Sequence, residues 1–182
     1  MSTSIPKEVK IEDVEVWFQD ETRVGQQGSI SRTWYLKGER PRLVKQQQFL
    51  SAYIYGAACP AKDKSSAIFA SEVSSEIMQI HLDCISKEIE VHAVIIMDRA
   101  GWHCSKDLKV PKNITIVHLP PYSPELNGSE NAWQVMKSKF FKNRVFKTTA
   151  EIIDACIEAW NNFVETEGQI KKTCYRNWAD IR

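Results

Sequence analysis

The sequence predicts an α/β fold, a mixed five-stranded sheet flanked by helices. Three observations predict it. Val14–Asp20 alternates apolar and polar residues, Val91–Met97 (VHAVIIM) is a near-continuous apolar run, and Ser71–Ile89 spaces its apolar residues at the helical period. The chain has 182 residues, 43% hydrophobic and 26% charged, which is the composition of one globular domain and excludes a largely disordered chain. It contains no run of about 18 apolar residues, so no membrane span is expected. The first 15 residues lack the apolar core of a signal peptide.

Each element has its own signature. In the first strand, Val14, Val16 and Phe18 share one face, and Glu15, Trp17 and Gln19 share the other. Ile30–Leu36 and Gln48–Ala57 (QFLSAYIYGA) are rich in β-branched and aromatic residues and read as two further strands. KGERPR between them carries a Gly/Pro turn signal, so the three strands form an antiparallel meander. A helix within Ser71–Ile89 places Ile77, Ile80, Cys84 and Ile85 on one stripe. Val91–Met97 ends at Asp98, and a second buried strand, Asn113–Leu119, stops at Pro120 and Pro121. Ser129–Phe141 reads as a helix. A last helix starts at the capping box Thr148-x-x-Glu151 and carries Ile153, Cys156, Ile157, Trp160 and Val164. Three antiparallel strands followed by alternating strands and helices is the order of a ribonuclease H-like fold.

The net charge of +1 conceals a polar distribution. Residues 1–21 are acidic. From Thr22 to Gln48 the basic residues Arg23, Arg32, Lys37, Arg40, Arg42 and Lys45 stand against Glu39 alone, and Asn131–Ala150 holds Lys137, Lys139, Lys142, Arg144 and Lys147 with no acid at all. Two such segments could lie along a phosphate backbone; taken without the motifs below, they read first as two solvated faces. The five cysteines are widely spaced and form no CxxC pair, which fits buried apolar thiols in a reducing compartment.

Three acids stand where chemistry can use them. Asp20 ends the first strand on its apolar face, where a carboxylate needs a partner or a metal to offset desolvation. Asp98 closes the most apolar strand, and sites in such sheets lie at the carboxyl ends of strands. Glu130 lies in the first turn of a helix behind the Pro-rich loop PPYSPELNGSE. Three carboxylates suit hard divalent cations, and a pair of Mg²⁺ ions sharing them suits phosphodiester cleavage. Read as ordinary structure, the same acids are turn, cap and helix-start residues.

The flanking residues are more specific. WFQDET around Asp20, IIMDRAGWH around Asp98 and LPPYSPELNGSENAW around Glu130 resemble the DDE transposases of the mariner superfamily, in its bacterial insertion-sequence branch. The similarity runs from about Val14 to Trp160. It implies a ribonuclease H-like core, two Mg²⁺ or Mn²⁺ ions per site, and DNA cleavage and joining at element ends. Asp20, Asp98 and Glu130 would be the metal-binding catalytic acids, with His103 of the Trp-His element supporting them. Departures from the family pattern are Arg99, where Asn is common, and Gly128-Ser129, where Pro-Ile is usual.

The resemblance also implies partners and organisation. Residues 1–182 would form a single DDE catalytic (integrase-like) domain, with 148–182 a C-terminal helical extension and no N-terminal helix-turn-helix domain. The partner would be double-stranded DNA, namely terminal inverted repeats and a TA-containing target. A separate N-terminal DNA-binding polypeptide and a homodimer are further expected partners, with no membrane, in the bacterial cytoplasm at the nucleoid. Arg23, Arg32, Lys37, Arg40, Arg42, Lys137, Lys139, Lys142 and Arg144 would bind phosphates, and Trp34 and Tyr35 are the aromatic candidates for unstacked bases. Two alternatives stay open: a ribonuclease H-like nuclease without strand transfer, and a catalytically silent transposase relic that acts as a binding module.

Overall fold

The computed structural model describes residues 5–27, 34, 36–38, 46 and 48–181. Its five strands are β1 (Val14–Gly25), β2 (Ser51–Cys59), β3 (Lys64–Ala70), β4 (His92–Met97) and β5 (Ile114–His118). They form one sheet in the order β3-β2-β1-β4-β5. The β1/β2 and β2/β3 pairs are antiparallel, and β1/β4 and β4/β5 are parallel. The helices are α1 (Ser75–Glu88), α2 (Ser129–Phe140), α3 (Thr149–Val164) and α4 (Gln169–Cys174). The mixed sheet flanked by helices is the expected fold class.

The meander is built differently from the expectation. Its third strand is Lys64–Ala70, whose sequence KSSAIFA carries polar residues at three of its first four positions and so gives a weak strand signal. The expected strand Ile30–Leu36 lies largely outside the described residues.

The sheet is covered on both faces, as the apolar β4 requires. On one face α1 packs Met78, Leu82 and Ile85 against Trp17, Tyr55, Ile95 and Met97. On the other, α2, α3 and α4 pack Trp133, Met136, Trp160, Phe163 and Ile170 against Ile54, Ala52 and Ala58. A smaller group of Phe18, Ile96 and Leu119 lies on β1, β4 and the end of β5.

Both predicted helical stripes are rotated by about one residue. In α1 the buried residues are Met78, His81, Leu82 and Ile85, whereas Ile80 is 55% exposed. In α3 they are Ile152, Ala155, Cys156, Ala159, Trp160 and Phe163, with Ile157 on the outer side. The small Ala155 and Ala159 let α3 approach β2 closely, and the larger β-branched residues are left at the margin. The α3 cap is as read: Thr148 Oγ1 accepts the Glu151 N–H at 3.2 Å, and Glu151 Oε2 accepts the Lys147 N–H at 2.7 Å.

Candidate active site

The parallel register of β1 and β4 pairs Phe18 with Ile96. Asp20 and Asp98 therefore stand two residues past the same rung on adjacent strands. Glu130 enters from the first turn of α2. All three line one cleft of about 440 Å³, together with Arg99, the Pro120–Pro124 loop and Asn127. The sheet ends and the α2 start thus bring together the three acids singled out in the sequence.

The chain is stitched so that Glu130 reaches Asp20. Asn127 Nδ2 donates to the Gln19 carbonyl at 3.0 Å, and Ser129 Oγ donates to the Phe18 carbonyl at 3.0 Å. Asn127 Oδ1 accepts the Ser129 N–H at 3.0 Å. Between them, Gly128 sits where a Cβ would run into the Cys174 carbonyl oxygen and the Phe18 ring. The Gly128-Ser129 departure therefore has a local cause: the glycine clears the close approach and the serine ties the turn to β1. From outside, the Arg176 guanidinium donates to the carbonyls of Glu125 (3.1 Å) and Asn127 (2.9 Å).

Asp20 faces the α2 side of the sheet. Its Oδ2 accepts the Trp133 indole N–H at 3.0 Å. Burial, followed by repulsion from Glu130 and Glu21, pushes its pKa up to about 7. Trp133, 3% exposed, packs in the core, and its N–H reaches Asp20 from there.

Asp98 is held from the opposite face. Its Oδ1 accepts from His103 Nδ1 at 2.7 Å and from the Ala100 N–H at 2.9 Å. The other ring nitrogen of His103 meets Glu21 Oε1 at 2.9 Å. The ring is fully buried, which opposes its charge, yet the hydrogen bonds to Asp98 and Glu21 outweigh burial and push its pKa up to about 10. The same imidazole, with the Ala100 N–H, keeps the Asp98 carboxyl below its usual range. His118 Nδ1 lies 2.9 Å from the Asp98 carbonyl oxygen, so this histidine braces the Asp98 main chain. His81 and His92 are buried.

The donor set is oxygen-rich and mutually repelling, which fits a hard cation. Among the described residues, however, no three His, Cys, Asp or Glu groups converge closely enough to hold an ion. Asp20, Asp98 and Glu130 share a cleft without forming a closed cage.

The basic residues are less concentrated. Arg23 on β1 and Lys37 are exposed, whereas Arg32, Arg40 and Arg42 lie outside the described residues. Lys137, Lys139, Lys142 and Arg144 are exposed, with Lys137 roughly 10 Å along the α2 axis from Glu130. Arg144 bonds Glu158 at 3.4 Å and lies over the Phe146 ring. Trp34 is fully exposed, and Tyr35 lies outside the described residues. Of the cysteines, Cys59, Cys156 and Cys174 are buried with thiol pKa values pushed up by burial, and Cys104 is exposed. No helix among the described residues is long and apolar enough to cross a membrane.

Four residues of the site escaped the sequence reading: Glu21, Asn127, Trp133 as a donor, and Arg176. The only sequence signal for Glu21 is strand alternation, which puts it on the face opposite Asp20.

The sheet order, with carboxylates at the ends of adjacent strands and at the start of a crossing helix, defines a ribonuclease H-like domain of the DDE type. Residues 15–153 match the model of the DDE superfamily endonuclease family. The chain belongs to that family. It is 45% identical over 130 residues to the uncharacterized protein y4pE/y4sA of Sinorhizobium fredii, covering 70% of this chain and 96% of that protein. It is 25% identical over 134 residues to the insertion element IS630 39 kDa protein of Shigella sonnei, covering 70% of this chain and 39% of that one. The fold is shared with the Mos1 transposase in its paired-end complex with the left transposon end, at a TM-score of 0.66 and 12% identity, over 88% of this chain and 51% of that one. The Mos1 mariner paired-end complex with Mn gives a TM-score of 0.65 at 11% identity, over 92% and 53%. The chain thus spans about half the length of the mariner transposase chains it matches.

Proposed function

We propose that the cleft between β1, β4 and α2 is the phosphoryl-transfer centre of an insertion-sequence transposase, with Asp20, Asp98 and Glu130 as its metal-binding catalytic acids. The observation that carries this reading is Asp20: a desolvated carboxylate beside Glu130, with one indole N–H as its side-chain donor. Such a pair is repulsive unless a proton or a cation sits between the groups. Mg²⁺ or Mn²⁺, as two ions, would supply activation of the attacking oxygen and relief of charge on the leaving oxygen.

The residues divide the remaining work. Asp20 and Asp98 present oxygens from adjacent strand ends, and Glu130 completes the set from α2. Trp133 orients Asp20, and His103 orients Asp98. Arg99 lines the same cleft and brings a positive charge to where a substrate phosphate would lie. The exposed Lys137, Lys139, Lys142 and Arg144, with Arg23 and Lys37, would meet the DNA backbone, making binding strongly dependent on salt. The product of cleavage, a 3′-hydroxyl at the element end, would attack target DNA in the same cleft, with a TA dinucleotide as the expected target.

The test is an assay containing candidate terminal repeats, target DNA and Mg²⁺. Nicked and joined products together support the transposase reading. Nicking without joining assigns the cleft to a hydrolytic nuclease, and neither product, with no cation-dependent change in stability, assigns the chain to a silent binding role.

A further inference from the structure

We propose that Glu21 is a positioning residue for Asp98, acting through the His103 ring; the inference rests on the metal-site reading above. Glu21 follows Asp20 on β1, so strand alternation turns it to the α1 face, away from the cleft. Its side chain is 7% exposed on a face built of Trp17, Tyr55 and Met97. A carboxylate there needs partners, and it has two: His103 Nε2 at 2.9 Å and Gln19 Nε2 at 2.8 Å.

His103 is locked as well as bonded. The turn after β4 closes with the His103 N–H donating to the Ala100 carbonyl at 2.9 Å, and the Trp102 ring meets the imidazole edge-to-face at 5.8 Å. With both ring nitrogens aimed at carboxylate oxygens, the ring has one orientation that satisfies them. That orientation places Nδ1 2.7 Å from Asp98 Oδ1. Together with the Ala100 N–H on the same oxygen, it fixes the carboxylate plane and leaves Oδ2 for the cleft.

The Asp98 side chain is 57% exposed, so packing alone does not restrain it. The restraint comes from a line of hydrogen bonds that runs from Gln19 and Glu21 on β1, under the sheet edge, to the end of β4. Glu21 thereby links the two strand-end aspartates: it is covalently next to Asp20 and hydrogen-bonded, through one ring, to Asp98. Partners that orient metal-binding carboxylates typically change metal affinity or activity by about 10–100-fold when removed.

The experiment measures Mn²⁺ binding to the full chain without DNA, by calorimetry, for wild type, Glu21→Ala, Glu21→Gln and Asp20→Asn. We expect Glu21→Ala to weaken binding about 10–100-fold while DNA affinity in EDTA stays at the wild-type level. Glu21→Gln keeps an oxygen facing the ring and should recover most of the affinity. A wild-type affinity in Glu21→Ala, with Asp20→Asn impaired, overturns the positioning role alone. Wild-type affinity in Asp20→Asn overturns the metal-site reading and this inference with it. If Glu21→Ala does not fold, nitrogen-edited NMR of the wild-type chain decides. A slowly exchanging proton on the His103 nitrogen that faces Glu21 is expected, and a freely exchanging or absent one there overturns the proposal.

Discussion

Trp133 donates its indole N–H to Asp20 across a gap that Gly56 leaves open. Gly56 is the cross-strand partner of Asp20 in the β1/β2 ladder, and a Cβ there would strike the Trp133 ring. A glycine on β2, a tryptophan on α2 and an aspartate on β1 are thus one unit, in which the missing side chain makes room for the ring that holds the carboxylate.

Trp133→Phe keeps most of the ring and removes the donor. It should cost about 1–3 kcal/mol of stability, as expected for a buried charged acceptor losing its partner. It should also slow nicking by about 10-fold or more. Thermal melts and initial nicking rates check both. Gly56→Ala should reproduce the rate loss by pushing the ring away.

The pH dependence of stability has a defined sign. The Asp20 pKa in the folded chain is raised, to about 7, above its ordinary value of 3.8. Its contribution is therefore fully present below pH 3.8 and is lost as pH rises through about 7. Asp20→Asn should consequently stabilise the metal-free chain at pH 8, by up to about 4 kcal/mol, and by much less near pH 4. Asp98 works in the opposite sense: its lowered pKa gives stability that is present above its ordinary value and lost on acidification. Melting curves of Asp20→Asn and Asp98→Asn from pH 2 to pH 8, without divalent ions, measure the two trends.

The turn before α2 should be sensitive at three points. Gly128→Ala places a Cβ against the Cys174 carbonyl and the Phe18 ring, and should destabilise by about 1–3 kcal/mol. Ser129→Ala removes the bond to Phe18 and should cost about 1 kcal/mol. Arg176→Ala releases the Glu125 and Asn127 carbonyls at the surface, so its effect on stability should be smaller than its effect on nicking. Urea melts and nicking rates on the three variants separate these contributions.

Much of this was legible in the sequence, for physical reasons. β4 is apolar on both faces, so its strand character and its termination at Asp98 follow from composition alone. The α3 cap follows from Thr148 and Glu151. The element order carries the fold class, and the three motifs locate the acids. What was hidden depends on register and on contacts distant in sequence. Lys64–Ala70 is a half-exposed edge strand, so it has weak apolar alternation. The buried stripes of α1 and α3 are selected by which small residues can approach the sheet, which periodicity does not resolve. Glu21 gains its partner 82 residues away, and Trp133 gains Asp20 113 residues away. No local pattern marks either pair.

DNA affinity should fall steeply with salt if the exposed Lys137, Lys139, Lys142 and Arg144 meet phosphates. Each neutralised residue should reduce the slope of log affinity against log salt by about 0.9 on duplex DNA. Anisotropy titrations at several salt concentrations, on single and combined Lys→Gln variants, give that slope directly.

The central claim is that Asp98 works with Asp20 and Glu130 at a cation-dependent strand-cleavage site. Its most direct measurement is Mg²⁺-dependent nicking of an element-end duplex by wild type and Asp98→Asn, with melting curves of both. The predicted result is nicking by wild type and none by Asp98→Asn, with the two proteins equally folded. Undiminished nicking by Asp98→Asn would contradict the account.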